Sequence, residues 1–178
     1  MGSSLLESNR GSLKLVGTGF LPAISPFFYD GENLPKGLST IDDHFNDWFL
    51  GKRDGLNHCC FNVRVRYFDL TEKAIDQSII GEIKKISSDT TPEIALGRII
   101  FIFENQKILL TKESSNVFYV TDKNGDLRAV HLSWNPEDGW IIRAESMADC
   151  YRDDYGRTCY YPWDNGSRFF CAQPYQLH

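Results

Sequence analysis

No apolar run in the chain is long enough to cross a membrane. The longest near the start, Phe20 to Tyr29, is broken by Pro22 and Pro26 and falls short of the ~18 residues a spanning helix needs. Met1 to Arg10 lacks the basic-then-apolar layout of a signal peptide, so no membrane partner is expected. Positive charge is short as well, with 19 Lys and Arg against 24 Asp and Glu and a net charge of −5. Nucleic-acid binding draws on clustered cations that displace counterions, and this balance argues against it. There is no glycine-rich phosphate loop and no CxxC knuckle, and no cofactor is expected. Five cysteines do not make a closed disulfide framework. With no leader in sight, they point to reduced thiols and a cytoplasmic protein.

Aromatic residues, by contrast, are plentiful at 13%, and they favour sheets and interfaces alike. The polar stretch of residues 1–12 is expected to be disordered, and 13–178 to form one domain with its own core. Between 13 and 37, seven glycines and prolines argue against a regular element. The apolar residues there, Phe27 and Phe28 among them, read as a strap across the core or an exposed binding segment.

Ser39 predicts the cap of a helix to about Leu50, with Ile41, Phe45, Trp48 and Phe49 on one face. From Cys60 to Phe68 the alternation of Phe61, Val63, Val65 and Tyr67 with Asn62, Arg64 and Arg66 predicts a half-buried strand. Asp69 and Glu72 resemble a capping box opening a helix to about Ser87, with Ile75, Ile79, Ile83 and Ile86 along one side. Ile99 to Phe103 and Lys107 to Thr111 read as strands that begin a meander running to Glu145.

Two turns predict the register of that meander. Asn124-Gly125 suits a two-residue type I′ hairpin, which would set Lys123 against Asp126, Val117 against Leu132 and Phe118 against His131. Asn135 to Gly139 would set Trp134 against Trp140 and Leu132 against Ile142. One face would then be core, and the other would carry Phe118, Ala129, His131, Ser133, Arg143 and Glu145.

The expected class is α+β: two helices packed on one face of a curved, mostly antiparallel sheet of five to six strands. This element order is similar to the cystatin and NTF2-like folds. The segment 147–178 is aromatic- and cysteine-rich without periodicity, and is expected to wrap the sheet irregularly or to meet a partner through Tyr160, Tyr161, Trp163, Phe169 and Phe170, together with Phe27 and Phe28.

Three chemistries fit these residues. A thiol hydrolase would use Cys60 or Cys59 as nucleophile, His131 as base and Glu145 as orienter, and a histidine on a sheet strand resembles papain-type enzymes in this respect. Zinc at Cys150, Cys159, Cys171 and His178 has suitable donors but intervals too long for a zinc knuckle, so no metal is assigned. A small ligand could sit against His131, Arg143, Glu145 and Phe118. The leading expectation is a small non-enzymatic binding or accessory protein that acts through contact with another protein.

Overall fold

A computed structural model describes residues 11–86, 89–105, 107–111, 114–147, 150–152, 155 and 158–174. In chain order the elements are β1 (Leu13–Leu21), β2 (Leu38–Ile41), α1 (Asp43–Phe49), a single turn α2 (Leu56–Cys59), β3 (Val63–Leu70), α3 (Asp76–Ile86), α4 (Leu96–Asn105), β4 (Asn116–Thr121), β5 (Leu127–Asn135), β6 (Gly139–Ser146), β7 (Cys150–Arg152), β8 (Thr158–Tyr160) and β9 (Arg168–Pro174). Seven strands form one sheet in the order β1-β3-β9-β4-β5-β6-β2, and β7 pairs with β8 alone. The sheet is mixed, since β2 runs parallel to β6 and β4 parallel to β9. The class is α+β, as expected, but the strand count and the placing of the helices depart from the cystatin and NTF2-like order.

Both faces of the sheet are covered. Val63, Val65, Phe118, Val130, Leu132, Ile142 and Phe170 form one buried cluster with Leu96, Ile99, Ile102 and Phe103 of α4 and Phe45 and Phe49 of α1. The alternate residues Phe68, Leu70, Val117, Tyr119, Ala129, Phe169 and Cys171 pack on Ile79 and Ile83 of α3. Strand alternation makes these opposite faces. A bulge in β1 between Leu15 and Gly17 switches its parity, so that Leu13 serves the α3 side and Leu21 the α4 side.

The first hairpin differs from expectation by one residue. Asp122, not Lys123, faces Asp126, its N–H donating to the Asp126 carbonyl at 2.8 Å. The Asp122 carboxylate accepts the N–H groups of Asn124 and Asp126 and pairs with Arg128 Nε at 2.8 Å. The Gly125 N–H donates to the Asp122 carbonyl at 3.2 Å and Gly125 has a positive φ of +93°, so the loop has three residues and closes on a left-handed glycine. Phe118 therefore opposes Val130, and Val117 opposes His131. A one-residue slip moves every β4 side chain to the other face: Phe118 is wholly buried on the α4 side, stacked on Phe170 at 4.5 Å. The second hairpin keeps the expected register, with Trp134 opposite Trp140.

Ile99 to Phe103 belongs to a helix rather than a strand. Residues 96–100, 102 and 103 are all buried, and an apolar run buried on every side carries no periodicity to tell helix from strand. What fixes the helix lies elsewhere in the chain: the Asp54 carboxylate accepts the N–H groups of Leu96 (3.1 Å) and Gly97 (2.8 Å), serving two of the orphan donors of a helix start. A Cβ on Gly97 would fall 2.8 Å from Phe27 Cβ, so that approach requires glycine.

Further differences follow from long-range pairing. Residues 13–21, expected irregular, form an edge strand on β3, and Ser12 is buried, its hydroxyl donating to Glu82. Residues 38–41 pair with β6, so Asp42 rather than Ser39 caps α1. Residues 107–111 form no strand. The largest correction concerns the tail. β9 lies between β3 and β4 in the middle of the sheet, and Phe169 and Phe170, expected at an interface, are fully buried in it.

Candidate functional site

His131 on β5 stands directly across from Arg143 on β6, and Glu145 lies one step along the same face. The structure brings these three together. His131 Nε2 is 3.2 Å from Glu145 Oε1, with the histidine buried and the carboxylate half-exposed. Nε2 nonetheless makes no aligned hydrogen bond, and Nδ1 makes none either among the described residues. The pairing with His131, then the charge of Arg143, hold the Glu145 carboxyl below its ordinary range against a smaller effect of burial.

Phe118, expected beside them, is on the far side of the sheet. Its place is taken by Asp76, Tyr119 and Trp163. Asp76 opens α3, and its Oδ1 accepts both the Tyr119 hydroxyl (2.8 Å) and the Trp163 indole N–H (2.7 Å). Burial pushes its carboxyl up, and the charge of Glu145 adds to this, while the two hydrogen bonds act the other way. Trp163 is anchored by its backbone to Ala74 and stands edge-on to the His131 ring, with centroids 5.3 Å apart.

His131, Arg143, Glu145, Asp76 and Trp163 line a cleft of about 770 Å³. Its floor is β5 and β6, one wall is the start of α3, and the other is the segment from Tyr160 to Ser167. Tyr160 and Tyr161 are 41% and 62% exposed on that wall. Two separate expectations, the mixed sheet face and the aromatic tail, thus meet in one place. Of the tail residues, Tyr160, Tyr161 and Trp163 reach the cleft, and Phe169 and Phe170 do not. Phe27 packs against the α4 cluster and Phe28 is exposed near Arg53, away from the cleft.

The thiols lie elsewhere. Cys59 is buried with its Sγ 3.9 Å from Asp54, on the α4 side of the sheet, whereas His131 projects from the other. Burial, then the Asp54 charge, raise its pKa, and it ends a single helical turn, where the dipole does nothing for a thiolate. Cys60 is exposed. Among the described residues neither thiol is paired with His131. Cys171 is buried within β9, its thiol pushed up to about 12 by burial, while His178 and the side chains of Cys150 and Cys159 fall outside the described residues. Among the described residues no group of three or more His, Cys, Asp or Glu could hold a metal ion, and no helix is long and apolar enough to cross a membrane.

Comparison with known protein families, with curated proteins and with solved structures found no match. The cleft must be interpreted from its own chemistry. Asp76 was not singled out in the sequence, because the helix it opens was expected to begin at Asp69, a residue that instead lies within β3 and pairs with Arg168.

Proposed function

We propose that this chain is a non-enzymatic binding protein and that the cleft between β6, the start of α3 and residues 160–167 receives a segment of a protein partner. The observation that carries this reading is the exposure of Tyr160 and Tyr161 on the wall of a cleft whose floor holds His131, Arg143 and Glu145. Exposed tyrosines beside a half-buried tryptophan are the residue types that anchor interfaces, and convergent polar groups behind them give orientation. A thiol enzyme is less well supported, since Cys59 is buried on the other side of the sheet from His131. One observation favours a second reading, a small-molecule site: the cleft volume lies within the usual range for such pockets.

The test is an array of short synthetic peptides probed with the full chain and with Tyr160→Ala/Tyr161→Ala. The expected result is a set of bound peptides whose signal disappears in the double variant. Equal binding by both proteins would move the partner site away from the cleft. If no peptide binds but a panel of small molecules raises the melting temperature of the wild type alone, the second reading replaces the first.

A further inference from the structure

The charge inside the cleft indicates what it binds, given that the cleft is the binding site. Four carboxylates line it, those of Asp42, Asp76, Glu145 and Asp164, against the single guanidinium of Arg143 and the imidazoles of His44 and His131. Asp42 caps α1 through Phe45 with its Oδ1, and Asp164 meets Lys73 at 2.7 Å in an exposed ion pair. Asp76 and Glu145 carry their charge beside His131. In each, one oxygen meets the protein, Oδ1 of Asp76 with Tyr119 and Trp163 and Oε1 of Glu145 with His131, and the other has no partner among the described residues. Both carboxyls line the one cleft, and the charge of Glu145 is among the causes that raise the Asp76 pKa, a cost that a cation in the cleft would relieve.

A second feature is the histidine beside Glu145. His131 is 5% exposed and lines the floor, yet neither ring nitrogen makes a hydrogen bond among the described residues. A neutral imidazole has one acceptor nitrogen, and no donor meets it among the described residues. Aromatic faces attract cations, and Tyr160 and Tyr161 supply them. We infer that the cleft takes an organic cation, the ammonium or guanidinium of a basic side chain on the partner, with Asp76 and Glu145 as counter-charges and Tyr160 and Tyr161 as the aromatic wall.

The probes are fluorescent peptides of equal length rich in Lys and Arg, in Gln, or in Glu, titrated into the full chain at low and moderate salt. The basic peptide should bind, and Asp76→Asn/Glu145→Gln should weaken it at least about tenfold, since charge-assisted bonds are lost. Asparagine at 76 still offers an oxygen to Tyr119 and Trp163. Glu104→Gln/Glu137→Gln removes the same charge from exposed sites outside the cleft and should leave affinity within about twofold. The inference is overturned if both double variants weaken binding equally, or if Gln-rich peptides bind as well as basic ones. In that second case, loss of binding in Tyr160→Ala/Tyr161→Ala would still uphold the cleft as a peptide site. If none of the three peptides binds, the inference and the reading beneath it both fall.

Discussion

The two faces of the sheet use similar residues to different ends. On the α4 side, aromatic rings meet one another, Phe118 on Phe170 and Phe103 on Trp140, and the buried polar groups Asp54 and Arg98 bond backbone. On the α3 side the apolar cluster is smaller and gives way to His131, Arg143 and Glu145 along β5 and β6 and to Asp76 at the start of α3. There the aromatic residues Tyr119 and Trp163 spend their donors on a single carboxylate oxygen. Polar groups that satisfy one another through backbone stabilise a fold. Polar groups that leave oxygens and ring nitrogens without partners are costly unless a ligand meets them.

The strongest way to break this comparison is to remove a strand common to both faces. Ending the chain at Met147 deletes β9, which carries Phe170 to one face and Phe169 and Cys171 to the other, and parts β3 from β4. The truncated chain should show no cooperative unfolding transition by circular dichroism. A folded product would mean that the tail is an accessory rather than the middle of the sheet. A smaller effect confined to the α4 face is expected from Phe118→Ala, about 3–5 kcal/mol in urea unfolding, as for other large core truncations. If instead it costs less than about 1 kcal/mol, Phe118 faces the cleft as the two-residue turn would have placed it.

The cleft should reveal itself through pH rather than through total stability. The folded chain keeps the proton on Asp76 to higher pH than the unfolded chain does, so this group costs stability as pH rises from its ordinary value of 3.8 through its raised folded value. Glu145 is shifted the other way. It adds stability above its ordinary value of 4.5, and that contribution is lost as pH falls through the lowered folded value. Urea midpoints between about pH 3 and 7 should therefore show the wild type losing ground to Asp76→Asn as pH rises and gaining on Glu145→Gln. Parallel curves for all three proteins would show that the two carboxyls do not sit in contrasting environments.

Much of this was legible in residue order. Alternation placed Ala129, His131, Ser133, Arg143 and Glu145 on one face and Val130, Leu132, Trp134 and Ile142 on the other, because side-chain period is local. The Asn135 to Gly139 loop gave the register of its hairpin correctly. What could not be read was set by distant contacts. Asn124-Gly125 suits a two-residue turn, but the Asp122 carboxylate, held by Arg128, stabilises the three-residue form and exchanges Phe118 for Val117 and Tyr119 at the site. Residues 96–105 are helical with help from an acceptor more than forty positions earlier, Asp54. β9 has no strand partner within the tail, and only the gap between β3 and β4 makes it one. Asp76 gained its role by meeting Trp163, 87 residues away.

The smallest expected effect on stability belongs to the residues that matter most for binding: Tyr160→Ala/Tyr161→Ala should stay within about 0.5 kcal/mol of wild type for each exposed site changed. The account's central claim, that the α3 face binds while the α4 face stabilises, is tested most directly by hydrogen exchange on the full chain with and without a peptide selected from the array. Added protection should fall on residues 75–77, 143–147 and 160–167, and none on the exposed edge of β1 or on α4. Protection centred on Leu15 to Phe20, with the cleft segments unchanged, would contradict it.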